Sequence, residues 1–197
     1  GTISVSATAT DAAGNTSTAG TTSFTLDTTA PTVSAVAITS ATGIANSTLN
    51  AGDVVSVTVT MSEAVNVTGT PQLTLNVGGT NRTANYSSGT GTTALVFTYT
   101  IVSGDTDTNG ISIAANSLAL NGGTINDPAG NAATLTHSAV ADNASYLVDN
   151  TAPTVSSVVA TGTGISSGTG NLKAGAVITL TVTTSEALTV TGTPTLT

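Results

Sequence analysis

The chain has 197 residues, and its ten acidic side chains stand against only Arg82 and Lys173, for a formal net charge of −8. Charged residues make up 6% and aromatics 3%, with no Cys and no Trp, which argues against a nucleic-acid surface, docking on anionic lipid and a disulfide framework. The acidic surplus suits divalent cations, and the core has to come from Val, Ile, Leu and Ala, whose burial yields about 25 cal/mol per Å².

Residues 2–9 alternate strictly between apolar and polar side chains, the pattern of a strand with one buried face. Asp11-Ala12-Ala13-Gly14-Asn15 reads as a turn and residues 21–26 as a second strand. Next come Thr32–Ile38 and, after a polar loop, Asp53–Thr60, where Val55, Val57 and Val59 alternate with Ser56, Thr58 and Thr60 and where Ser62-Glu63-Ala64 closes the strand. Gln72–Val77 and Arg82–Tyr86 flank Gly78-Gly79 as a hairpin. Ala94–Val102 is the most apolar strand. An acidic loop, Asp105–Gly110, leads to short strands or turns at Ile111–Ala114 and Ser117–Leu120. A second Asp-x-Ala-Gly-Asn loop, Asp127–Asn131, precedes a final strand at Ala144–Val148, and no helical period persists for ten residues, which leaves room for one turn at most around Ala114–Leu120.

The chain repeats itself. Asp27-Thr28-Thr29-Ala30-Pro31-Thr32-Val33 returns as Asp149-Asn150-Thr151-Ala152-Pro153-Thr154-Val155, an offset of 122. Ala51-Gly52, Ser62-Glu63-Ala64 and Gly69-Thr70-Pro71 return as Ala174-Gly175, Ser185-Glu186-Ala187 and Gly192-Thr193-Pro194, an offset of 123. Self-similarity of this kind marks a tandem array. It divides the chain into the closing hairpin of one repeat (1–27), a complete repeat (28–149) and the start of another (150–197), so the chain reads as a window of a longer protein. Seven to nine short strands in roughly 120 residues predict an all-β fold of immunoglobulin-like β-sandwiches, without the Cys…Trp…Cys signature of antibody domains. Short linkers would join the sandwiches into a rod in which each unit touches its neighbours.

These motifs resemble the bacterial Ig-like repeats of giant extracellular adhesins, many of them secreted by type I systems. The match is carried by the Asp-x-Thr-Ala-Pro seams at 27–31 and 149–153, by Ser62-Glu63-Ala64-Val65, by Gly69-Thr70-Pro71-Gln72-Leu73-Thr74-Leu75 and by Asp127-Pro128-Ala129-Gly130-Asn131. The resemblance implies a stalk at a bacterial cell surface or in a biofilm matrix. It also implies calcium at the junctions between domains.

The positions of the acids point the same way. In an Ig-like sandwich, the end of the second strand and the loop before the last strand share the pole where the incoming linker arrives. Asp27, Glu63, Asp127 and Asn131 should therefore converge there, and oxygen-only ligands suit structural Ca²⁺, which takes 6–8 of them. By the repeat, Asp149 and Glu186 would serve the next junction. Asp105 and Asp107 begin an Asp-x-Asp-x-Asn-Gly run like the start of an EF-hand. Asn116 stands where that loop needs its closing Glu, which leaves a looser Ca²⁺ site or plain turn chemistry.

Catalysis finds no constellation: His137 is the sole histidine, and no Gly-x-Ser-x-Gly elbow occurs, so the protein reads as a non-enzyme. The expected partners are neighbouring repeats of the same polypeptide and other copies associating laterally, since Thr-rich edges with almost no Lys are poorly defended. A host or matrix ligand would be bound elsewhere in the protein, and no direct membrane insertion is expected. The alternatives are a carbohydrate- or protein-binding Ig-like module, disfavoured by the scarcity of aromatics, and accessory repeats of an extracellular enzyme.

Overall fold

The computed structural model describes residues 1–163, 165 and 170–195. The expected partial repeat 150–197 includes positions 164, 166–169 and 196–197, which lie outside the described residues. Every regular element described is a strand, so the protein is all-β. It forms two compact units, residues 1–150 and 151–197.

In the first unit, β1 (Thr2–Ala7) and β2 (Gly20–Thr25) form an antiparallel hairpin registered from Thr2↔Thr25 to Ala7↔Gly20. The main sheet has seven strands. They are β3 (Val33–Thr42), β5 (Val54–Thr68), β6 (Gln72–Val77), β7 (Thr80–Ser88), β8 (Thr92–Thr100), β9 (Leu118–Ala119) and β10 (Thr124–Asn126). β5 pairs with β3, β8 and β10, and the order then runs β8-β7-β6-β9, all antiparallel. The sheet curls into a half-barrel.

Its inner face holds the core. Val55, Val57 and Val59 are fully buried as their alternation requires, and Leu73, Leu75 and Phe97 join them. Tyr86 meets Phe97 edge-on, with ring centroids 5.8 Å apart and planes at 70°. In place of a second continuous sheet, this face meets β4 (Thr48–Leu49) and β11 (Leu147–Val148), a short parallel pair, together with isolated bridges such as Asp107↔Val148 and Ile113↔Val140. The reason is composition: the stretch between 101 and 150 is studded with Gly, Asn and Asp, which favour turns and keep strands to two or three residues. Leu49, Ile111, Ile113 and Val148 are nevertheless buried and complete the core.

The Gly78-Gly79 hairpin forms as expected, with φ of 54° and 84° and Val77 paired to Thr80. A side chain at Gly78 would strike the Thr106 carbonyl, so glycine is required there for space as well as conformation. β5 departs from expectation. It does not close at Ser62-Glu63-Ala64 but runs on to Thr68, with a bulge between Thr60, opposite Ala94, and Val65, opposite Thr92.

In the second unit, β12 (Val155–Gly162) pairs antiparallel with β13 (Ile178–Thr184). The pairing repeats that of β3 with β5 residue for residue at its base. Val33↔Met61 and Ala35↔Thr60 become Val155↔Thr184 and Ser157↔Thr183, with the irregularity at the same place in both.

Candidate metal centre

Three segments of the first unit bring one carboxylate each to a single point: Asp27 from the seam, Glu63 from the β5 bulge and Asp127 from the loop after β10. One oxygen of each lies within 4.8 Å of the others. Local chemistry fixes each position.

The Asp127 loop is a tight turn closed by its own side chains. Asn131 donates its backbone N–H to Asp127 Oδ1 and its side-chain amide to Asp127 Oδ2, both at 2.7 Å. Gly130, at φ 96°, donates to the Asp127 carbonyl at 3.2 Å. The Asp11 loop is built alike, with Asn15 donating to Asp11 through its backbone at 2.8 Å and its side chain at 2.9 Å, and with Gly14 at φ 91°. Asp127 is 2% exposed. Burial pushes its carboxyl up, but the Asn131 side chain and the N–H groups of Asn131, Gly130 and Ala129 outweigh burial and hold it below the usual aspartate range.

Backbone bonds draw the seam in. The Asn131 amide also donates to the Asp27 carbonyl at 3.2 Å, and Asp27 Oδ1 accepts the Thr29 N–H at 3.0 Å. Thr134 N–H donates to the Pro31 carbonyl at 2.8 Å. A serine clamp then ties the seam to β5: Ser62 N–H donates to the Thr32 carbonyl at 2.8 Å, and Thr32 N–H donates to Ser62 Oγ at 2.9 Å. Glu63 is the next residue. The motif Ser-Glu-Ala is therefore both the clamp and the source of a carboxylate. The second unit carries the same clamp, Ser185 N–H to the Thr154 carbonyl at 2.8 Å and Thr154 N–H to Ser185 Oγ at 2.9 Å, with Glu186 following.

Asn131 has a part that differs from the one expected: its side-chain N–H groups donate to two acceptors, the Asp127 carboxylate and the Asp27 carbonyl, and so organise the site. Asp105 and Asp107 differ as well. Asp105 is paired with Arg82, whose Nε donates to Oδ1 at 2.7 Å, while Oδ2 accepts the Tyr99 hydroxyl at 2.6 Å and the Val102 N–H at 3.0 Å. Asp107 accepts the N–H groups of Gly78 at 2.7 Å, Gly110 at 2.7 Å and Asn109 at 3.2 Å. Protein donors bond both carboxylates, and at Asp105 one of them is a guanidinium. The signal overlooked was Arg82 itself, the single Lys or Arg between residues 28 and 149. Asp149 lies in the first unit, with its N–H on the Leu49 carbonyl at 3.0 Å, and Glu186 belongs to the second.

Asn150, also unforeseen, lies over the opposite pole of the first unit. Its side-chain oxygen accepts the Ala51 N–H at 2.6 Å, and its amide donates to the carbonyls of Asp105 at 2.7 Å and Val102 at 3.2 Å. His137 is occupied structurally, since Nε2 accepts the Ser117 N–H at 2.9 Å and Nδ1 donates to the Ser138 carbonyl at 2.8 Å.

No protein-family model, curated protein or solved structure matches this sequence. What it can do has to be argued from the acidic cluster and the repeat.

Proposed function

We propose that this protein is part of a structural stalk: Ig-like units in tandem, joined by short linkers into a rod and tightened at their junctions by Ca²⁺. Its setting would be a secreted, bacterial cell-surface or matrix protein that supports adhesion or biofilm formation. The observation that carries this reading is the approach of a seam carboxylate, Asp27, to two carboxylates of the unit body, Glu63 and Asp127. Three like charges within 4.8 Å repel one another, and a divalent cation turns that repulsion into a tie between linker and body. Carboxylates alone, with no Cys or His among them, suit a hard cation that accepts 6–8 oxygens, the rest coming from carbonyls or water. By the repeat, Asp149 and Glu186 would play the same parts at the following junction. Neighbouring repeats are then the first partners, and lateral association of stalks a second.

The test is thermal melting of the full 197-residue protein with EDTA, Ca²⁺ or Mg²⁺. Calcium at 100 times its dissociation constant should stabilise by about 2.7 kcal/mol. The response should shrink in Asp127→Asn and Glu63→Gln. A melting temperature indifferent to both EDTA and calcium would end the cation reading.

A further inference from the structure

Two Asn-Gly steps occur, Asn109-Gly110 and Asn121-Gly122, and the structure treats them oppositely. Such a step can modify itself. The backbone nitrogen of the glycine attacks Cγ of the asparagine and a new C–N bond forms. The bond from Cγ to the amide nitrogen breaks, and ammonia leaves with the proton from the glycine N–H. Water then opens the resulting succinimide at either carbonyl, giving aspartate or isoaspartate. The reaction needs a glycine nitrogen that is free to lose its proton and has room to swing.

At Gly110 both conditions fail. Its N–H is bonded to Asp107 Oδ1 at 2.7 Å, so deprotonation would break a charge-assisted bond and place a negative nitrogen against a carboxylate. Gly110 is buried, and even a Cβ there would strike the Asn143 carbonyl. The Asn109 amide is also held, by Asp142 Oδ2. At Gly122 both conditions are met. Asn121 and Gly122 are exposed, nothing lies within 4 Å of the position a Cβ would take on Gly122, and its N–H donates to no acceptor among the described residues. The Asn121 amide makes one bond, to the Thr70 carbonyl at 3.2 Å.

We propose that Asn121 is a spontaneous modification site of this protein, converting to aspartate and isoaspartate while Asn109 is protected by the fold. The consequence is local. Conversion removes the Asn121–Thr70 bond, and isoaspartate adds a backbone atom to a turn closed by the Gly123 N–H on the Leu120 carbonyl at 2.8 Å. Gly69 and Gly123 allow two backbones to touch there, with a Cβ on Gly69 falling 2.8 Å from Gly123 Cα. The turn leads directly into β10, whose pairing with β5 spans only Thr124↔Thr68 to Asn126↔Asn66.

The experiment is incubation of the 197-residue protein at mildly alkaline pH, with peptide mass spectrometry that separates asparagine, aspartate and isoaspartate at each position. In the folded state Asn121 should convert at least about tenfold faster than Asn109, because a protected amide reacts only through local opening. In urea the two should converge. Equal rates in the folded state, a faster Asn109, or a difference that persists in urea would each overturn the proposal.

Discussion

Asp105 shows how one carboxylate settles an entire loop. Burial pushes its carboxyl up, but the Tyr99 hydroxyl, the Val102 N–H and Arg82 together hold it below the usual range. Tyr99 responds in the other direction. Burial, its bond to Asp105 and the charge of that carboxylate push the phenol up to about 12. A raised phenol binds its proton more tightly when folded, so its contribution is complete below the ordinary tyrosine value of about 10 and is lost as pH climbs toward 12. Alkaline melting should show this loss, and Tyr99→Phe should flatten it. Asp105→Asn faces the same donors with one acceptor fewer and leaves Arg82, itself 31% exposed, without its counter-charge. Chemical denaturation should register a cost of roughly 2–4 kcal/mol. At this scale sequence reading found the acids but not the protein donors around Asp105. Asp-x-Asp-x-Asn-Gly states which oxygens are present, whereas the side-chain donors that claim Asp105 come from Arg82 and Tyr99, on the separate strands β7 and β8.

Among the elements, β5 does the most. Its first half lines the core, its bulge offers Glu63, and its last residues receive β10. The valine alternation made the first half legible. The continuation was not, because Ser62-Glu63-Ala64 breaks the period of two, and a broken period looks like the end of a strand. β7 offers a different test. Its Tyr86 ring packs on Phe97, but the hydroxyl is buried with no hydrogen-bond partner among the described residues. Removing an unsatisfied buried group relieves its desolvation cost, so Tyr86→Phe should stabilise the fold by about 1 kcal/mol. A loss of stability in urea denaturation would mean that the hydroxyl is satisfied after all.

For the whole molecule, the repeat was the most legible feature, because identical motifs at near-identical spacing are visible without any structure. The strand-by-strand pairing was less so: the turn-rich stretch between 101 and 150 buries its apolar residues through single bridges, which leave no periodic trace in sequence. Two serines, one per unit, test the repeat directly. Ser62→Ala and Ser185→Ala each remove the acceptor of a threonine N–H, at Thr32 and Thr154. Each should cost about 0.5–1.5 kcal/mol. Hydrogen exchange at Thr32 and Thr154 should report each loss at its own position.

The serine clamp has one more implication. The offset between repeats changes from 122 at the prolines to 123 at Ala174, so the extra residue falls between Pro153 and Ala174. The clamp and the bulge register beside it are nevertheless the same in both units. Each strand pair takes its alignment from its own base and tolerates drift at its far end. A strand pair of this kind can be duplicated at the level of its gene with its register intact, since each copy carries the serine and threonine of its own clamp.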